Sequence, residues 1–165
     1  MLIYPKVYLE NVTKITIDFL NENNLKAVIL DIDNTLLDFD KKILAGAKEW
    51  CNNLKKQNIK FYILSNTNKK EKVEKVSNEL DMPYIMFAKK PSKSGFMKVK
   101  TELGLEANEI AVAGDQIFTD VIGANRAKMF SILTKPIDKR DILITRIKRP
   151  FEEFLIRRYL KRGKN

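Results

Sequence analysis

The chain has 165 residues, 44% of them hydrophobic, a size and composition suited to one compact domain with a genuine core. It has no histidine and one cysteine, Cys51, which excludes Ser-His-Asp and Cys-His nucleophiles, histidine- or cysteine-rich zinc sites, iron–sulfur clusters and any intrachain disulfide. The net charge of +10 is unevenly placed, since residues 1–138 carry 21 basic and 18 acidic side chains whereas residues 139–165 carry 10 and 3.

The single cysteine fits a reducing cytoplasm; the opening stretch MLIYPKVYLENVTK lacks the basic-then-apolar layout of a secretory signal, and no apolar run approaches the ~18 residues needed to cross a bilayer. NVTKITIDFLNENN predicts a helix ahead of the sheet. KAVILDI, a short continuous apolar run bounded by turn residues, predicts a strand buried on both faces. ILAGAKEWCNNLKKQ predicts a helix on which Cys51 reads as a small core residue. IKFYILSN predicts a second strand, and NKKEKVEKVSNEL a helix with Glu71 and Lys75 at the i,i+4 spacing. YIMFA predicts a short strand, and SKSGFMKVKTELG a helix stopped by Gly104. EIAVAGD, TDVIGANRAKM and FSILT predict strand, helix and last strand. DILITRIKR reads equally as a short edge strand or as the approach to a basic C-terminal helix at about 150–162. The alternation predicts an α/β fold: a Rossmann-like, doubly wound, mostly parallel sheet with helices on both faces, forming one domain over residues 1–165.

Ligands of such a sheet bind outside the carboxyl ends of the strands, where the polar residues of this sequence gather. Asp31 ends the first strand, Ser65 ends the second, Lys90 follows the third and Asp115 ends the fourth. Asp31 and Asp33, two apart in an extended chain, project to the same side and repel unless a cation or proton lies between them. Asp115 would complete an oxygen cage for Mg²⁺, and Ser65 and Lys90 offer a donor and a positive charge to a phosphoryl group. An anionic nucleophile, an adjacent acid/base, a metal and phosphate donors suit phosphoryl transfer through an aspartyl-phosphate.

DIDNT, LSN, KP and GDQIFTD resemble, in order, the four motifs of the haloacid dehalogenase-like (HAD) phosphatases, and the Asn after the second Asp and the Lys-Pro motif are similar to subfamily IIIA. More narrowly, ILDIDNTLL and AGDQIFTDVIGANR resemble the YqeG family, relatives of mitochondrial phosphatidylglycerophosphate phosphatase. The resemblance implies that Asp31 attacks phosphorus and that Asp33 protonates the leaving oxygen and later activates water. It implies Mg²⁺ held by Asp31, the Asp33 main-chain carbonyl and Asp115, and phosphoryl oxygens bound by Ser65, Asn66 and Lys90. Asp120 is implied either to orient the metal's surroundings or to fix Lys90; Thr35 and Asn34 either shape the loop after the nucleophile or are structural. Lys89 and Lys93 compete with Lys90 for the third motif, and the position before Pro91 favours Lys90.

The gaps between Asp33 and Ser65 and between Ser65 and Lys90 leave no room for a sizeable cap domain, which in this superfamily implies an open site and a large or exposed substrate. The favoured substrate is an anionic phospholipid such as phosphatidylglycerophosphate; nucleic-acid ends and sugar phosphates are the alternatives. A receiver-like signalling module also phosphorylates an aspartate on a parallel sheet, but Asp33, two residues beyond the nucleophile, suits turnover instead. In the tail, Phe151, Phe154, Leu155 and Tyr159 fall near one helical stripe, with Arg157, Arg158, Lys161 and Arg162 close by. Such a helix can pack on the domain with a solvated basic rim, lie on the anionic inner face of a membrane, or serve an RNA- or ribosome-associated factor.

Overall fold

The computed structural model describes residues 2–138 and 143–162, with side chains over 2–138 and 150–161. Six strands, β1 (Val7–Leu9), β2 (Ala27–Leu30), β3 (Lys60–Leu64), β4 (Tyr84–Ile85), β5 (Ile110–Gly114) and β6 (Phe130–Thr134), form one sheet in the order β1-β6-β5-β2-β3-β4. Every pairing is parallel. Among the described residues six α-helices flank it: α1 (Ile17–Glu22), α2 (Ala47–Lys55), α3 (Lys70–Leu80), α4 (Lys93–Leu103), α5 (Ile122–Arg126) and α6 (Leu143–Arg162).

The period-two alternation of each buried strand divides its side chains between two layers. Val28, Leu30, Phe61 and Ile63 face Leu20 of α1, Cys51 and Leu54 of α2, and Val73, Val76 and Leu80 of α3. Ala27, Ile29, Tyr62, Leu64 and Val112 face Phe96 and Val99 of α4 and Ala124 of α5. The AVIL of β2 and the IAVAG of β5 are buried throughout, which is why these runs read as continuously apolar. Cys51 is fully buried, and burial pushes its thiol up to about 12, as befits a core residue.

Several elements differ from the sequence reading. β1 is an edge strand of three half-buried residues, too short to stand out in its surroundings. The first helix divides into a 3₁₀ turn, Val12–Lys14, and α1, because Thr16 adopts an extended backbone and its Oγ1 accepts the Phe19 N–H at 3.2 Å. α2 begins only after Gly46, which is left-handed at φ 80°, and Ile43 instead bridges to Leu37. A π-helical turn, Ile117–Val121, precedes α5, and the expected strand over YIMFA pairs only through Tyr84–Ile85. Gly104 ends α4 with φ 65°, as its position predicts.

The edge-strand reading of DILITRIKR is corrected: Leu143–Arg162 is helical, and residues 139–142 and 163–165 lie outside the described residues. α6 docks through Leu155, which is buried with Ile117, Val121 and Leu133, while a Glu152 carboxylate oxygen accepts the Phe118 N–H at 3.3 Å. The Tyr159 hydroxyl donates to the Lys6 carbonyl at 3.3 Å, with its ring 6.1 Å from that of Tyr4. The expected apolar stripe is therefore divided, because Phe151 and Phe154 remain exposed while Leu155 and Tyr159 hold the helix to the domain. Among the described residues no helix is long and apolar enough to cross a membrane.

Candidate active site

The strand order reverses at β2, which pairs with β3 on one side and β5 on the other, so the crevice at the carboxyl ends of β2 and β5 is the topological switch point. Asp31 extends β2 into this crevice, its N–H donating to Ala113 of β5 at 3.0 Å. Asp115 directly follows β5, Ser65 follows β3, and Lys90 comes from the loop after β4. All four are buried. The sheet edge thus brings together the residues that the sequence places on separate strand ends.

The Lys90 ammonium donates to Asp31 Oδ1 and to Asp120 Oδ1, both at 2.6 Å. An ammonium has three donors, so one remains for a ligand. Asp120 rides on the π-helical turn, and its second oxygen accepts the Gln116 N–H at 3.2 Å. Asp120 thereby holds Lys90 in place. Gly114 makes room for it: a Cβ there would lie 2.3 Å from Asp120 Cγ. Lys89 and Lys93, the competitors for the third motif, are exposed.

The carboxylates of Asp31, Asp115 and Asp120 each place an oxygen within 4.8 Å of the others. Three buried carboxylates face one ammonium, an excess of two negative charges, and the donors are all oxygen. Such a set fits a hard divalent cation. Burial first, and then the neighbouring Asp120 carboxylate, push Asp31 up to about 7 despite the opposing Lys90. Burial also works against the charge on Lys90, but Asp120 and Asp31 outweigh it and raise its pKa above the usual lysine range.

Asn66 has main-chain partners within the site. Its amide donates to the Lys90 carbonyl at 3.0 Å and its Oδ1 accepts the Lys90 N–H at 2.7 Å, a two-bond clamp on the main chain that carries the ammonium. Ser65 Oγ accepts the Thr67 N–H at 3.2 Å, leaving its hydroxyl proton for another acceptor. Thr35 is buried in the turn after Asp33, its N–H bonded to the Ile32 carbonyl at 3.3 Å and its hydroxyl without a hydrogen-bond partner among the described residues. Asn34, at φ 57°, shapes the same turn, and its Oδ1 accepts the Asp138 N–H at 3.2 Å.

Asp33 has a partner that the sequence reading missed. Lys72, on the first turn of α3 and largely buried, donates to Asp33 Oδ1 at 2.5 Å. Nothing in its spacing distinguishes Lys72 from the neighbouring Lys69, Lys70 and Lys75; only the packing of α3 beside the DxD turn does. Residues 36–44 fold into a small flap in which Leu37 bridges both Asp33 and Ile43. The Lys75 ammonium fastens its tip to α3 through the Lys41 carbonyl at 2.9 Å.

This strand order and these four strand ends define a phosphatase of the HAD superfamily, a phosphoric monoester hydrolase. The chain belongs to the mitochondrial PGP phosphatase family, whose model matches residues 1–138. It is 34% identical over 160 residues to the probable phosphatase YqeG of Bacillus subtilis, covering 96% of this chain and 92% of that protein. It is 23% identical over 171 residues to the chloroplastic/mitochondrial phosphatidylglycerophosphate phosphatase 1 of Arabidopsis thaliana, covering 98% of this chain and 49% of that one. Its fold is similar to that of the magnesium-bound HAD-hydrolase YfnB of Bacillus subtilis, with a TM-score of 0.59 at 13% identity over 72% of this chain and 90% of the other.

Proposed function

We propose that this protein is a Mg²⁺-dependent phosphomonoesterase that works through an aspartyl-phosphate on Asp31, with a phosphatidylglycerophosphate-type lipid as its substrate. The observation that carries the chemistry is the buried Asp31–Lys90–Asp120 set beside Asp115 at the switch point of the sheet. Asp31 Oδ attacks phosphorus in line, and the remaining Lys90 donor and the Ser65 hydroxyl bind the phosphoryl oxygens. Asp33 protonates the leaving alcohol oxygen and, once that alcohol departs, takes a proton from the water that hydrolyses the acyl phosphate. Lys72 holds the Asp33 carboxylate in position, and Asn66 and Asp120 fix Lys90 from its main chain and its ammonium respectively. A divalent cation held by Asp31, Asp115 and the Asp33 carbonyl would neutralise charge between nucleophile and phosphate.

Hydrolysis of an aryl phosphate is therefore expected to stop with excess chelator and to return on adding Mg²⁺. Activity that survives thorough chelation overturns the metal requirement.

The lipid reading rests on the family and on the open rim of the site. Between β2 and β3 lie only the flap and α2, and between β3 and β4 only α3, consistent with a single capless unit. Phe39 at the flap tip and Phe87 in the loop after β4 are both more than half exposed. Apolar and basic side chains on strand-end loops suit a phosphate presented at a membrane surface. A panel of phosphatidylglycerophosphate, a 5′-phosphorylated oligonucleotide and sugar phosphates tests the choice. Preference for either of the latter two overturns the lipid reading.

On the same reading, α6 rests on the anionic inner face of a membrane from the cytoplasmic side. Exposed Phe151 and Phe154 share the helix with Arg157, Arg158 and Lys161, while Leu155 holds it to the domain. Near an anionic leaflet each basic side chain contributes up to ~1 kcal/mol, fading beyond a Debye length. Replacing Arg157, Arg158, Lys161 and Arg162 with Gln is expected to weaken co-sedimentation with anionic vesicles by roughly tenfold or more. Hydrolysis of a small soluble phosphoester should be nearly unchanged. Wild-type binding to RNA but not to vesicles would overturn the membrane role.

A further inference from the structure

A strongly basic concavity lies beside the catalytic carboxylates. A cleft of about 520 Å³ between the flap and the start of α3 is lined by Lys41, Lys69, Lys70, Glu71, Lys72 and Lys75. Five lysines and one glutamate thus line one cleft. Such a concentration of like charge is unfavourable unless an anion screens it.

Two of the lysines have structural work within the chain: Lys72 bonds Asp33, and Lys75 bonds the Lys41 carbonyl. Lys70 lies 3.5 Å from Glu74, a loose exposed pair. No carboxylate among the described residues lies within ion-pair distance of Lys41 or Lys69. α3 also begins without a capping side chain; the Lys72 and Val73 N–H groups bond the Lys69 carbonyl, which leaves those of Lys70 and Glu71 with bonding capacity for an anion.

The location decides which part of a substrate would enter. Lys72 belongs both to the cleft wall and to the Asp33 ion pair, so the cleft opens from the side of the site where Asp33 stands. If Asp33 protonates the leaving oxygen, that is the leaving-group side. The transferred phosphoryl group has its own partners in Lys90 and Ser65, on different strand ends. A second anionic group reaching the lysine cleft must therefore belong to the leaving alcohol.

We propose that the flap–α3 lysine cleft is a subsite for a second phosphate, carried as a phosphodiester by the leaving alcohol of the substrate. This rests on the reading of Asp33 as leaving-group acid and deepens the proposed function. It selects phosphomonoesters whose alcohol bears a diester a few bonds away over those with a neutral alcohol. The same chemistry occurs in a glycerophospholipid headgroup ending in a phosphate and at the phosphorylated end of a nucleic acid.

The test compares glycerol 3-phosphate with two soluble esters that add a phosphodiester: deacylated phosphatidylglycerophosphate and the dinucleotide pTpT. The wild type is expected to show a KM for deacylated phosphatidylglycerophosphate lower by roughly tenfold than for glycerol 3-phosphate, as two or three partly exposed charge pairs would give. That preference should shrink as salt rises. The double variant Lys41→Gln, Lys69→Gln should lose it while hydrolysing glycerol 3-phosphate as the wild type does. Lys41→Arg, Lys69→Arg, which keeps the charge, should retain it.

Calorimetric titration of the same three esters into the Asp31→Asn chain reads the subsite without turnover, so it stands apart from the success of the catalytic reading. Equal affinity for glycerol 3-phosphate and both diester-bearing probes, or a preference unmoved by the Gln pair, overturns the subsite. Preference for pTpT alone supports the subsite and overturns the lipid-headgroup reading. Diester-dependent binding without turnover of any ester supports the subsite and counts against the proposed catalytic substrate class.

Discussion

Asp31→Asn is expected to lower kcat on any phosphomonoester by at least ~10⁴-fold, about 5 kcal/mol of barrier, because on the proposed mechanism it removes the atom that attacks phosphorus. The same change should leave the fold standing. The Asp31 N–H keeps its bond to the Ala113 carbonyl, the side-chain volume hardly changes, and Lys90 retains Asp120 as a charged partner. Three carboxylates with oxygens within 4.8 Å become two, so in metal-free buffer the melting temperature should hold or rise. Steady-state kinetics on an aryl phosphate beside a thermal melt check both halves. Wild-type turnover in the variant would sink the nucleophile assignment. An unfolded variant would show instead that the Asp31–Lys90 pair is needed for folding.

How far the site could be read in advance depended on whether a residue's role follows from its place on a strand. Asp31, Ser65 and Asp115 sit one step beyond buried apolar runs, and a parallel sheet has only one edge where such positions can meet. Their convergence was legible for that reason. Lys90 was legible through its place before Pro91, although spacing alone left Lys89 and Lys93 as rivals; burial separates the three.

Contacts made between elements were not legible. Lys72 is one of several lysines on an exposed helix pattern, and only the seating of α3 against the DxD turn gives it Asp33 as a partner. The contacts of Asp120 were not legible either: its oxygens lie on the Lys90 ammonium and the Gln116 N–H, beside the carboxylates of Asp31 and Asp115, a placement set by a π-helical turn that has no simple sequence period. β1 escaped notice because three residues cannot establish an alternation. The first part of the predicted α2 was lost to the flap because Gly46 breaks the backbone just where the apolar pattern continues.

The largest stability effect should come from Lys90→Met. Lys90 is the positive centre of a buried set, and Met keeps much of its length while removing the charge. Deleting one partner from a buried ion pair costs about 3–5 kcal/mol, since the remaining charge has lost its compensation. For a chain of this size that corresponds to a fall in melting temperature of about 6–20 °C. The loss should depend on pH, and its sign follows from Asp31. With Lys90 present, that carboxyl already titrates at about 7, against an ordinary value of 3.8, so between those two pH values the metal-free folded chain holds a proton that the unfolded chain releases. Stability therefore falls as pH rises through that window. Without Lys90 the carboxyl is raised further, so the deficit of the variant should be smaller near pH 4, where Asp31 is protonated in either chain and only the Asp120 pair is lost, and largest at pH 8. Mg²⁺ should recover part of the difference at pH 8 by binding the same oxygens, and little at acid pH, where protons compete for them. Thermal melts of both chains at several pH values, with and without Mg²⁺, decide it. A deficit that is the same at acid and alkaline pH would trace the loss to packing rather than to uncompensated carboxylates.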